Sequence, residues 1–133
     1  MHDIRQQIDI DVDPDRTWQV VGDTGAIADW LPALDRSRLD GDLRHGTMPD
    51  GSVAVERIVD RSDVERTYSY ELVEAPLALD GYRSTLRVHD VDGRSRVTWH
   101  ARFDATDELA AAVDGMYRDG LVGLKKHLEA RES

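Results

Sequence analysis

Near residue 105 the hydrophobic period of this sequence changes, and the change limits what the chain can fold into. Before it, apolar side chains recur at every second position. Tyr68, Tyr70 and Leu72 share one phase of "RTYSYEL", and Val97, Trp99, Ala101 and Phe103 share one phase of "RVTWHARF". Each segment carries one apolar and one polar face, as an antiparallel strand wet on one side does. After the change, Leu109, Val113, Met116, Tyr117, Gly120, Leu121, Leu124 and Leu128 recur at three- and four-residue spacing. That spacing predicts one amphipathic helix over 107–131, with Lys125, Lys126 and His127 in its last turns, where the helix dipole favours positive charge.

The rest of the chain fills in the sheet. "IRQQIDIDV" reads as a strand that stops at Asp13-Pro14, an N-cap followed by proline at the first helical position. The helix "PDRTWQVV" then ends at Gly22, and a second short one, "GAIADWL", is closed by Pro32. Six strands are predicted at 36–41, 43–48, 52–60, 64–74, 80–90 and 94–104, punctuated by Asp-Gly pairs at 40/41, 50/51, 80/81 and 92/93. A seven-stranded antiparallel sheet with one apolar face and a helix with one apolar stripe must bury those surfaces on each other. The expected fold is α+β: a curved sheet wrapped around a long C-terminal helix, with two short helices after strand 1. A length of 133 residues fits a single domain, 1–133, large enough to bury a core without staples.

Composition removes several function classes. The net charge is −10, from 27 acidic and 17 basic residues, and no window gathers the Lys/Arg cluster that nucleic acid or an anionic membrane needs. No nucleic-acid partner and no membrane insertion are therefore expected. No apolar run approaches ~18 residues, and the start "MHDIRQQIDI" lacks the basic and apolar regions of a secretory signal, which predicts a cytoplasmic location. There is no cysteine to serve as thiolate ligand or nucleophile. His2, His45, His89, His100 and His127 show no metal-ligand spacing, and "DVDGRSR" and "DVDPD" lack the glutamate that would complete a calcium loop. Neither GxSxG, GxGxxG nor GxxxxGK occurs, so no metal and no cofactor are predicted.

Several phrases in order carry a resemblance: "VDPDRTWQVVGDTGAIADWLP", "GDLRHGTMPDGSVAVERI", "YSYELVEAPLALDGYRSTLRV", "RVTWHARFD" and "YRDGLVGLKKHLE". Together they resemble the START-like superfamily, also called SRPBCC or the birch-pollen-allergen fold, and within it the polyketide cyclase/dehydrase and lipid-transport group. The resemblance covers nearly the whole chain and implies a helix-grip fold with a cavity between sheet and helix for a small hydrophobic or aromatic molecule. "VERI" followed by "GYRSTLRVH" is also similar to the plant abscisic-acid receptors of that superfamily. There, positions matching Glu56, Tyr70, Tyr82 and Ser84 line the pocket. The receptors' gate loop is replaced here by the short "MPDGS" and their latch by Leu77-Ala78, which argues against receptor-type gating.

The register of "VAVERIV" decides whether Glu56 faces solvent or the interior. Face counting puts Val53, Val55 and Val59 inside and Glu56 outside, whereas the resemblance implies the reverse. An odd-length turn after this strand would set Glu56 opposite Tyr68 on the inner face, and an even one would turn it to the wet face. If inward, Glu56 is the candidate acid/base and Tyr82 or Tyr70 the oxyanion donor for cyclisation, aromatisation or dehydration of a bound carbonyl compound. The same residues equally suit a non-catalytic carrier or sensor. Arg44 is either a solvated strand arginine or, as the resemblance implies, a group at the cavity rim. Gly46, in phase with Met48, either enlarges the cavity or marks a bulge. Ala54, Tyr68, Leu72, Ser84 and Ala112 are assigned to the cavity wall with Met116. Trp99 could stack on an aromatic ligand. Gly120, within the helix's apolar stripe, provides either ligand room or close helix-to-sheet packing. Trp18 and Trp30 are expected to pack the short helices onto the sheet.

Overall fold

In the computed structural model, which describes residues 1–132, the chain forms β1 (His2–Ile10), α1 (Pro14–Val21), a 3-10 helix (Thr24–Asp29), β2 (Arg36–Asp40), β3 (Leu43–Thr47), β4 (Val53–Ser62), β5 (Thr67–Glu74), β6 (Asp80–Val91), β7 (Arg94–Asp104) and α2 (Asp107–Glu132). The seven strands make one antiparallel sheet in the order β1-β7-β6-β5-β4-β3-β2. The core lies between its concave face and α2, where Leu86, Val88, Val97 and Phe103 meet Val113, Leu121, Leu124 and Leu128, all below one-tenth exposed. This is the helix-grip arrangement. The predicted strand beginning at 64 begins at Thr67, because 63–66 form a turn that ends on Arg66 at φ +53°.

Local chemistry sets the ends of the elements. Asp13 Oδ1 accepts the Arg16 N–H at 2.9 Å and Pro14 occupies the first turn, so α1 starts where its sequence predicts. It ends at Gly22 for a reason the helix alone does not give. Gly22 is right-handed at φ −75°, but a Cβ there would lie 2.8 Å from the Trp18 ring, so glycine is needed for space. Trp18 is thereby held between Tyr68, with ring centroids 6.4 Å apart, and Asp63, which accepts its indole N–H at 3.0 Å. The second short helix is 3-10 rather than α, and Trp30 beyond it packs edge-on against Trp99.

Three of the four Asp-Gly pairs lie in turns, with Asp92-Gly93 at φ +55° and +85° closing the β6–β7 hairpin. Asp80-Gly81 does not. It lies inside β6, where one extra residue against β7 makes a bulge and Gly81 takes φ +65°. The bulge leaves Tyr82, Ser84, Leu86 and Val88 facing the core.

Of two more bulges, the one at Val59 settles the direction of Glu56. The β4–β5 turn is even, 63–66, so an unbroken ladder would have put Glu56 on the wet face. However, Val59 is an extra residue on β4 and Val73 an extra one on β5. Between them Glu56 pairs with Leu72 and Ile58 with Tyr70. Glu56 therefore faces inward, opposite Leu72 rather than Tyr68, while Val53 is left 42% exposed. Counting faces along the strand fails here because the register slips by one at each bulge.

Candidate functional site

A cavity of about 210 Å³ lies between the sheet and the N-terminal half of α2. On the sheet side it is bounded by Arg44 and Gly46 of β3, Met48 just beyond, Ala54 and Glu56 of β4, Tyr70 and Leu72 of β5, Tyr82 of β6 and an edge of Trp99 of β7. Ala112 and Met116 complete it from α2. Residues not picked out from the sequence add much of the apolar wall. Ile27, Leu31 and Leu34 come from the segment around the 3-10 helix, Leu77 and Leu79 from the β5–β6 loop, and Leu109 and Val113 from α2. The loop leucines carry no period and gave no signal, whereas Leu109 and Val113 were visible in the apolar stripe of the helix but not assigned to the site.

Five of the assigned residues stand elsewhere or depart from one of their readings. Tyr68, fully buried, lies behind Arg44 and not on the cavity surface. Ser84 is likewise sealed behind the wall, where it bonds Trp99 and Tyr117. Gly120 serves packing rather than ligand room: a Cβ there would sit 2.6 Å from Leu31 Cδ1 and 3.0 Å from the Trp99 ring. Trp99 has one face already covered, by Tyr117 at 4.0 Å and 9°. Gly46 is not in a bulge, since β3 pairs regularly on both sides, and a Cβ on it would press against Leu34 at 3.1 Å.

One end of the cavity is polar. Arg44, directly across the ladder from Glu56, is only 1% exposed and is not a solvated strand arginine. Its Nε donates to Glu56 Oε1 at 2.9 Å, and its Nη1 donates to Tyr68 Oη at 3.0 Å and to the Thr24 carbonyl at 3.2 Å. Nη2 also lies 2.9 Å from Oε1 but is poorly aligned for a hydrogen bond, so the attraction there is Coulombic. The guanidinium lies over the Tyr70 ring, 4.7 Å from its centroid. Burial by itself would depress the Arg44 pKa, but Tyr68, Glu56 and Tyr70 around it outweigh that and raise it, so the group stays charged. Both residues border the cavity, and Glu56, with its side chain 19% exposed, is the more accessible of the pair.

A second polar cluster lies deeper. Trp99 Nε1 donates to Ser84 Oγ at 2.9 Å and to Tyr70 Oη at 3.2 Å. Ser84 Oγ and Tyr117 Oη are 2.8 Å apart, and Tyr117 Oη is bonded in turn to Tyr82 Oη. Burial pushes every phenol upward from its ordinary value: Tyr68 to about 12, Tyr70 above normal, and Tyr82 and Tyr117 well above. All four are neutral near pH 7. The hydroxyls of Tyr70 and Tyr82 are thus engaged with other core groups, although their rings border the cavity. Among the described residues no group of three His, Cys, Asp or Glu side chains is placed to hold a metal, and no helix is long and apolar enough to cross a membrane.

Comparison with solved structures places this geometry among known folds. The protein XoxI from Bacillus cereus is 32% identical and superposes with a TM-score of 0.93 over 100% of this chain and 99% of its own. An uncharacterized protein from Bacillus thuringiensis is also 32% identical, with a TM-score of 0.88 over 95% of this chain and 98% of its own. The Zhui aromatase/cyclase from Streptomyces shares the fold at 15% identity, with a TM-score of 0.80 over 99% of this chain and 96% of its own. A search of curated proteins gives no match. The profile of the polyketide cyclase / dehydrase and lipid transport family matches residues 1–129, and the chain belongs to that family.

Proposed function

We propose that the protein holds a small hydrophobic or aromatic molecule in the cavity between sheet and α2, as a binding protein. The observation that carries this reading is the cavity itself: an apolar wall closed at one end by the Arg44–Glu56 pair. A few oriented polar groups in an apolar cleft are what small-molecule recognition requires. Volume limits the guest. At about 210 Å³ the space exceeds the ~150 Å³ that holds one benzene and falls short of the ~300 Å³ at which drug-sized pockets begin. One ring with short substituents fits better than a long acyl or multi-ring chain. Native mass spectrometry of protein purified from its source host, compared with the denatured mass, tests the reading. The expected result is a small apolar adduct lost on denaturation, and failure to take up any single-ring compound offered in excess would overturn it.

A second reading, cofactor-independent proton transfer in a dehydration or aromatisation, has one observation in its favour. Glu56 Oε2 accepts no hydrogen bond from the described residues and borders the cavity, as a general base would. Against it stand Tyr70 and Tyr82, the candidate oxyanion donors, whose hydroxyls are already bonded within the core. Glu56→Gln would abolish turnover with binding retained if Glu56 is the base.

A further inference from the structure

The cavity's polar end is one-sided in hydrogen-bonding character. Arg44, the only cation on the wall among the described residues, is sealed at 1% exposure, with its Nε and Nη1 engaged and its Nη2 lying under Glu56 Oε1. Tyr70 and Tyr82, at 2% and 7% exposure, direct their hydroxyls into the phenol cluster. Nη2 lacks a hydrogen-bond partner but is itself buried, so no exposed side-chain donor of these residues is left for a guest. Glu56, which lines the cavity, is different: Oε1 takes the guanidinium, and Oε2 accepts no hydrogen bond from the described residues. The charge is already balanced, since one guanidinium faces one carboxylate, so a cationic or anionic guest would enter the apolar space with its charge uncompensated.

From this asymmetry, and resting on the binding reading above, we infer that the cavity selects a neutral single-ring molecule bearing an O–H or N–H donor, and discriminates against carboxylates and acceptor-only carbonyl compounds or ethers. The donor hydrogen-bonds Glu56 Oε2 while the ring lies against Leu72, Leu31, Val113 and Met116. A hydrogen bond to a charged acceptor contributes more than one between neutral groups, which makes the donor the discriminating group.

The test is a matched set of single-ring probes titrated against the intact protein near pH 7 by ligand-observed NMR or calorimetry: 4-methylphenol, its methyl ether, toluene and benzoate. The phenol is neutral at that pH, its group ionising near ~10. The expected order is 4-methylphenol tightest, the ether and toluene at least about tenfold weaker, and benzoate weakest. Equal affinity for the phenol and its ether, or a preference for benzoate, would overturn the donor inference while leaving the binding cavity intact. Failure of all four to bind would sink the binding reading itself. A charge test follows from the same geometry. Glu56→Gln leaves the Arg44 charge unbalanced, so benzoate should gain at least about tenfold relative to 4-methylphenol, and an unchanged ratio would also overturn the inference.

Discussion

Two buried polar clusters lie a few side chains apart in this fold, and they differ in what they leave unsatisfied. The phenol cluster of Tyr70, Tyr82, Tyr117, Ser84 and Trp99 closes on itself. The Arg44–Glu56–Tyr68 cluster does not, because Glu56 lines the cavity and one of its carboxylate oxygens accepts no hydrogen bond from the described residues. Buried polar groups that are fully paired rigidify a core, whereas one with an unfilled position can receive a ligand. The comparison teaches that the hydrogen-bonding capacity left over, rather than the type of residue, separates wall from site.

The closed cluster should respond most strongly to truncation. Tyr117→Ala removes the stack on Trp99 and the partner of two hydroxyls, and is expected to cost about 3–5 kcal/mol in urea denaturation. A loss under ~1 kcal/mol would mean that the cluster is not a packed unit. The open cluster should respond asymmetrically. Glu56→Gln strands a guanidinium that is 1% exposed and should approach the ~3 kcal/mol lower end for breaking a buried pair. Arg44→Met leaves a carboxylate that can still reach the cavity, so its cost should be smaller, on the order of 1–2 kcal/mol. The opposite ranking would place the solvent-accessible partner on the wrong side of the pair.

Titration separates the clusters in another way. All four tyrosines are raised by burial, Tyr68 to about 12, so the fold favours their protonated forms. Their contribution is complete below pH 10, the value for unfolded tyrosine, and is lost as pH rises from 10 toward 12. Tyrosinate absorbance should therefore appear together with unfolding rather than before it. The smallest effect is at the acid end. Asp63 is lowered by the Trp18 indole N–H and Arg61, Asp9 by its bond from Arg96, and Glu129 by Lys125. Stability from these groups is present above pH 4 and lost as pH falls through their folded values, so the urea midpoint should be flat from about pH 7 to 5 and decline only below pH 4. A decline that starts at pH 6 would point to another group.

The sheet and the grip helix were legible in the sequence because both are period signals, and a period survives imperfect residues. The inward Glu56 was not, because its direction depends on Val59, between it and the turn, slipping the β4–β5 ladder by one, and Val59 does not differ from an ordinary strand residue. The even turn at 63–66 would have given the wrong face on its own. Gly120 was ambiguous for a related reason. Its neighbour is Leu31, 89 positions earlier, and only the packed structure shows which side chain occupies the notch. Tyr117 was read as core, and so it is, but the hydroxyl partners that make it the hub of a cluster come from β6.

The notches in α2 bear on how a guest could come and go. A Cβ on Gly123 would lie 2.4 Å from the Trp30 carbonyl oxygen, and one on Gly120 would lie 2.6 Å from Leu31. Those two protrusions key the helix like pins in a slot, because sliding it by one residue would drive Leu121 or Leu124 into the same places. A guest held in the proposed way would then pass the opposite rim, where Met48, the β5–β6 loop and the first turns of α2 line the cavity and Leu77 is 40% exposed. With the helix keyed in place, exchange of a bound guest is expected to follow the β5–β6 loop at that rim rather than a shift of α2.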